Sequence, residues 1–148
     1  MTADTYLFER QQMVDIQVRT ASHDDIDFIA KLSPPGDEGL ASQARITIEE
    51  ASTAEHSAVF IAVNGDGQRR GYVHLYPERE DSGEEPHPYV LRIASVFQAE
   101  SNVFSSLFGG AEAWLRKQRG RLVFIEILAQ DESGTMFEAG TITPPRRS

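Results

Sequence analysis

Cysteine is absent from this chain of 148 residues. That removes disulfides, thiolate metal sites and a cysteine nucleophile, and it fits a reducing compartment, so a cytoplasmic location is expected. Long apolar runs are missing as well. Nothing approaches the roughly 20 residues of a membrane span. Residues 1–12 mix Asp4, Glu9 and Arg10 with Tyr6, Leu7 and Phe8 and contain no signal-peptide core. Positive charge is scarce: 14 Lys and Arg stand against 23 Asp and Glu, a net charge of −9. Nucleic acid is therefore not an expected partner, because neutralising phosphates takes clustered Lys and Arg. The balance is compatible with a cationic substrate such as an amine, although charge of this size also simply maintains solubility. The four histidines, His23, His56, His74 and His87, lack metal-ligand spacing, and no metal site is expected.

What is present is ordinary for a globular chain: 40% apolar and 25% charged residues. At this length one domain over 1–148 is expected, with 1–12 as an extension and 144–148 as a tail, burying about two-thirds of its unfolded surface. Val14, Ile16 and Val18 alternate with polar residues, a half-buried strand. Ser22 and Asp25 form a capping-box-like pair, and Asp24, Asp25 and Asp27 favour the dipole of a helix stopped by Pro34-Pro35-Gly36. A second helix is expected over Gly39 to Ala51. Val59 to Val63, the turn Asn64-Gly65-Asp66-Gly67 and Gly71 to Tyr76 read as a hairpin. Its second strand carries Tyr72, His74 and Tyr76 on one face and Val73 and Leu75 on the other.

After a charged loop over 78–88, in which His87 is placed, Tyr89 to Phe97 reads as a strand and Asn102 to Arg119 as a long helix. Val103, Leu107, Ala111, Trp114 and Leu115 share the helix's apolar face, and Gly120 is expected to end it. Gly109-Gly110 inside it reads as a site of close packing. Leu122 to Leu128 is the most convincing central strand. Glu132 to Ala139 is expected as a short last helix, with Phe137 in the core.

Several segments resemble the GNAT N-acetyltransferase superfamily. Ile16-x-Val18-Arg19-x-Ala21-x-x-x-Asp25-x-x-x-Ile29-x-x-Leu32 resembles its opening strand and helix. Val59 to Val73 resembles its central hairpin, Tyr89 to Val96 its cofactor-side strand, and Ile125-Glu126-Ile127 with Asp131 its next strand. The resemblance implies an α/β (α+β) fold: a mixed, mostly antiparallel sheet with helices on both faces. It implies transfer of an acyl group from acetyl-CoA to a small-molecule or protein amine acceptor. In the family the cofactor-side strand splays from its neighbour, and strand N–H groups hold the pantetheine and polarise the thioester. N–H groups at the start of the next helix hold the pyrophosphate. Carried onto this chain, the strand groups are Ala94, Ser95, Val96 and Phe97. The helix-start groups are Ser101, Asn102, Val103 and Phe104. Glu126 and His74 are the catalytic candidates. Each also has a structural reading, Glu126 as a solvated or ion-paired residue and His74 as a satisfied, partly exposed histidine.

The chain departs from the family pattern in three places. Its break between strand and helix lacks the glycine-rich loop and places Glu100 where an anion would sit. Neither Phe137 nor Glu138 supplies the tyrosine that often serves as general acid. Only Thr141-Ile142-Thr143 remains of the family's closing hairpin, which leaves the edge at Leu122 to Leu128 in need of cover, and a homodimer is expected to provide it. The alternative to an enzyme is a non-catalytic domain that binds a partner, a ligand or a second copy.

Overall fold

The turn chemistry decides where this chain reverses, and six strands follow from it. The structure, a computed structural model, describes residues 15–34, 38–49, 57–78 and 86–144. Strand β1 (Gln17–Thr20) leads through a single 3-10 turn (His23–Asp25) into helix α1 (Ile26–Lys31), followed by α2 (Glu38–Glu49). Strands β2 (Ala58–Val63) and β3 (Arg69–Pro77) form the expected hairpin. The Asn64 side chain closes its turn by accepting the N–H groups of Asp66 and Gln68, and Gly67 takes φ 80°. Then come β4 (His87–Ser95), α3 (Val103–Lys117), β5 (Gly120–Gln130) and β6 (Met136–Ile142). Val14, the expected start of the first strand, lies outside the described residues, as do 1–12 and most of 78–88.

The strands lie in sequence order, β1-β2-β3-β4-β5-β6, and every pair is antiparallel except β4·β5. Helices flank both faces. Ile26, Ile29 and Leu32 of the α1 segment and Ala44 and Ile48 of α2 pack on Ile61, Tyr72 and Ala94. On the other face Val103, Leu107, Ala111 and Leu115 of α3 meet Val73, Leu75, Leu91 and Ile93. Burying each of those leucines contributes about 1.5–3 kcal/mol. Two glycines set the approach of helix to sheet. A Cβ on Gly71 would lie 3.2 Å from Leu107 Cδ1 and from Val103 Cγ1 of α3, and one on Gly110 of α3 would lie 3.2 Å from Val18 Cγ1 of β1.

Several sequence expectations are corrected. The residues read as a last helix form a hairpin turn and strand β6. Asp131 accepts the N–H groups of Ser133 and Thr135, and Gly134 adopts φ 89°, so the chain reverses rather than coils. Phe137 is consequently 47% exposed on β6, not in the core. Strand β5 is fifth of six, and β6 of the same chain covers the edge that was expected to be open. His87 opens β4 instead of sitting in the loop. Gly120 does not end the long helix. Arg119 takes the left-handed position (φ 54°), and Gly120 begins β5 at a place where a Cβ would meet the Tyr89 ring at 2.6 Å.

Candidate functional site

Two regions hold the candidate residues, on different parts of the sheet. The first lies where β4 ends and α3 begins. Strand β4 stops at Ser95, so Val96 and Phe97 belong to the following turn, in which Gln98 has φ 54°. The expected splay is absent. Strands β4 and β5 stay in register from His87↔Gly120 to Ser95↔Ala129, with one bulge beside Tyr89. The N–H groups nominated for a cofactor are also committed. Val96 N–H donates to the Arg70 carbonyl at 3.1 Å, and Phe97 N–H donates to Gln130 Oε1 at 3.1 Å. Ala94 is buried between β3 and β5.

At the helix start, Ser101 is exposed, Val103 is buried and its N–H donates to the Glu100 carbonyl, and Phe104 is exposed and stacks on Phe108. The Asn102 Oδ1 is buried without a hydrogen-bond partner. Glu100 does not stand as a bare negative charge here. Its carboxylate accepts Arg70 Nε at 2.8 Å and Asn64 Nδ2 at 3.3 Å. Partial burial pushes this carboxyl up, but the Arg70 hydrogen bond, with help from Asn64, carries the net shift below the ordinary range. Sequence reasoning found no basic residue near this helix start. The structure supplies Arg70 from β3, a neighbour only through the β3·β4 pairing.

The second region is a polar row across the α1–α2 face of the sheet. Register places His74 on β3 beside Arg92 on β4, and Arg92 beside Glu126 on β5. Arg92 is 2% exposed and its Nε donates to Glu126 Oε1 at 2.7 Å, while the Glu126 side chain keeps 24% exposure. Tyr72 lies in the same neighbourhood, with its hydroxyl against Ser33 and Arg92. His74 is 1% exposed, not partly exposed as expected, and its Nε2 has no partner. Burial, reinforced by the Arg92 charge, lowers its pKa to about 4, so the imidazole is neutral at physiological pH. The structure thus brings Glu126 and His74 to one face through Arg92, which the sequence did not single out. An arginine inside the apolar run Tyr89 to Ser95 was the available signal, since a fully buried guanidinium demands a carboxylate. As it stands the row is a fixed ion pair able to orient a polar group. Glu126 is already engaged by the Arg92 guanidinium, and His74 is buried behind it.

A third cluster is built on the Ser22–Asp25 pair that the sequence offered, with two arginine partners that it did not. Asp25 is fully buried and accepts Arg19 Nη1 (2.8 Å) and Nη2 (2.9 Å), Arg69 Nε (2.6 Å) and the Ser22 N–H (2.7 Å). It ties the start of α1 to β1 and β3. Among the described residues no group of His, Asp and Glu is placed to hold a metal ion, and no helix is long and apolar enough to cross a membrane.

No protein-family model and no curated protein matches the sequence. Solved structures do match the fold. A GNAT-family acetyltransferase from Streptococcus pneumoniae superposes with a TM-score of 0.54 at 15% identity, covering 78% of this chain and 75% of that one. A GCN5-related N-acetyltransferase from Kribbella flavida gives 0.52 at 21% identity, covering 76% and 70%. AAC(6')-Iy, solved with the bisubstrate analog CoA-S-monomethyl-acetylneamine, gives 0.50 at 18% identity, covering 79% and 80%. The chain has the GNAT fold: a six-stranded, mostly antiparallel sheet with its parallel β4·β5 pair and helices on both faces.

Proposed function

We propose that this chain is a GNAT-type N-acyltransferase whose acyl-CoA site is closed in the conformation described, so that the donor binds weakly and only when the ends of β4 and β5 part. In the closed form the residues do not fit acetyl-CoA. The strands are paired through Ser95↔Ala129, and the N–H groups of Val96 and Phe97 are already used. The observation that carries the reading is the state of β5. It is an interior strand, yet only Ile125 and Leu128 among its eleven residues are buried. The β5–β6 hairpin is held mainly by its ladder to β4 rather than by helices, so parting the end of that ladder is the motion that would admit the donor.

Residue roles follow from placement. Ser101, Asn102 and Phe104 present the start of α3, and the Arg70 guanidinium is the cation beside it. Glu126, held by Arg92 and still part-exposed, would accept from an amine acceptor on the α1–α2 face, with the chain's net charge of −9 favouring a cationic one. The fold likeness supports the acyl transfer itself by analogy. A cytoplasmic setting and acetyl-CoA, or another acyl-CoA, as donor belong to the same reading.

A second reading, a non-catalytic GNAT-fold module, draws on a specific observation. Glu126 is tied to Arg92, His74 is sealed and neutral, and no tyrosine follows Tyr89 in the sequence. Titration of acetyl-CoA by calorimetry, beside the Glu100→Gln variant, separates the two. Removing the carboxylate charge releases Arg70 beside the helix start. Weak binding that tightens several-fold in the variant supports the first reading, since an uncompensated cation within a few ångströms of a pyrophosphate is worth about 1 kcal/mol at the surface. No heat at millimolar cofactor in either protein establishes the module.

A further inference from the structure

We infer that the α1–α2 face of the sheet recognises a small, apolar primary amine: the Glu126 carboxylate takes the nitrogen, and Tyr76, Val90 and Phe124 take one ring or a short alkyl body. This names a substrate class for the acyl-transfer reading and rests on that reading for the amine's role as acceptor. The recognition itself rests on how the sheet is laid out.

The two helices cover only part of their face. Register arranges that face in rows across the strands. Ile61, Tyr72, Ala94 and Leu128 form one row, buried in the cluster that includes Ile26, Ile29 and Leu32 of the α1 segment and Ala44 and Ile48 of α2. His74, Arg92 and Glu126 form the next, and Tyr76, Val90 and Phe124 the one beyond. These last three are half-buried and belong to neither packed cluster of the core. Two aromatic rings and a valine side by side on three neighbouring strands make an apolar shelf, which gains from a ligand of matching chemistry.

The polar row is graded toward β5. His74 and Arg92 are 1% and 2% exposed, while the Glu126 side chain keeps 24%. Glu126 is therefore the member of that row that meets solvent, and Arg92 Nε fixes it from behind at 2.7 Å. A carboxylate oriented by one charge-assisted bond still has lone pairs for a second donor. Register sets the exposed Thr141 of β6 beside it. His74, neutral because it is buried and lies near Arg92, adds no positive charge to repel an ammonium, and its ring rests 5.0 Å from that of Tyr76.

Dimensions choose the class. Rows on one face lie about 6.6 Å apart along a strand, and neighbouring strands about 4.8 Å apart. Beyond the shelf, register brings Pro88 beside Arg121, and the Glu78 N–H donates to the Pro88 carbonyl. Residues of both charge signs thus bound the shelf, which leaves room for one ring or about four to six carbons. A polyamine would lay a second ammonium on this apolar row, and an amino sugar would lay hydroxyls there. Both lose hydration without gaining partners. An alcohol of the same shape fills the shelf but lacks the charge-assisted bond to Glu126.

The test is a titration of the full chain followed by NMR, with no donor present. The probes are 2-phenylethylamine, 2-phenylethanol, glucosamine and spermidine. Millimolar binding of 2-phenylethylamine that moves the Val90, Phe124 and Glu126 signals is expected, with the other three weaker by about tenfold or more. Glu126→Gln should weaken the amine by a similar factor. Because that variant leaves Arg92 buried beside a neutral amide, Phe124→Ala, at a half-buried position, provides the second measurement and should also weaken it several-fold. Circular dichroism confirms that each variant is folded. An alcohol or spermidine that binds as tightly as 2-phenylethylamine overturns the inference. So does an affinity unchanged by Phe124→Ala, or no binding at tens of millimolar. Adding acetyl-CoA separates this inference from the reading beneath it. Amine binding that depends on Glu126 and Phe124 but yields no acetylated amine refutes acyl transfer and leaves the recognition site standing. Acetylation of glucosamine or spermidine in preference to 2-phenylethylamine leaves acyl transfer standing and overturns the site.

Discussion

Replacing Asp25 with alanine should cost this protein about 2–3 kcal/mol, a value that follows from how its partners are exposed. Breaking a buried ion pair costs about 3–5 kcal/mol when the orphaned charge stays buried. Here the carboxylate is fully buried, but the Arg19 and Arg69 side chains keep 44% and 37% exposure and rehydrate once released. The loss is then mainly the charge-assisted bonds and the cap on the Ser22 N–H, itself worth about 0.5–2 kcal/mol. Asp25→Asn keeps an acceptor for Ser22 and should lose about half as much. For a chain of this size, alanine should lower the melting temperature by about 5–10 °C.

The pH dependence has a definite sign. Burial works against the Asp25 carboxylate, but hydrogen bonds from Arg19, Ser22 and Arg69 outweigh it, and its folded pKa falls well below the ordinary carboxylate range. A depressed folded pKa contributes stability that is fully present above the unfolded value of about 3.9 and is lost as pH falls toward the folded value. Urea unfolding of wild type and Asp25→Ala at pH 7 and at intervals below pH 4 therefore gives a gap that narrows with acid. A gap under about 0.5 kcal/mol at pH 7, in the range of surface substitutions, would refute the reasoning. So would additivity of Asp25→Ala with Arg69→Ala in a double-mutant cycle.

His74→Leu should be neutral or stabilising at neutral pH, because it removes a buried Nε2 that has no partner. With a folded pKa of about 4 the wild-type imidazole loses stability as pH falls from about 6.5 toward that value, and the leucine variant should lack that slope in urea titrations. Gly71→Ala pushes a methyl to 2.6 Å from the Ala94 carbonyl, where backbone must yield, and should cost about 1–3 kcal/mol by thermal or chemical unfolding.

Local signals in the sequence carried much of the fold. Strict alternation at Tyr72 to Tyr76, the Asn64 to Gly67 turn and the apolar stripe Val103, Leu107, Ala111 and Leu115 each report the two sides of one element, and all were legible. Glu132 to Ala139 was misread because Asp131, Ser133, Gly134 and Thr135 act as a turn only when β5 is present for β6 to pair with. What lay beyond the sequence is everything that depends on register between distant segments. Arg92 meets Glu126, Arg70 meets Glu100, and Arg69 meets Asp25 across 34, 30 and 44 residues. The closed β4·β5 seam belongs with them. A strand's own residues state which face is apolar, but how far it stays paired is set by its neighbours' length and by what packs over them. The sequence by itself determined the kinds of elements and their inward faces, because those follow from periodicity along one chain. Which charges are buried together, and whether a cleft stands open, were decided only when tertiary contacts set the balance between desolvation and pairing.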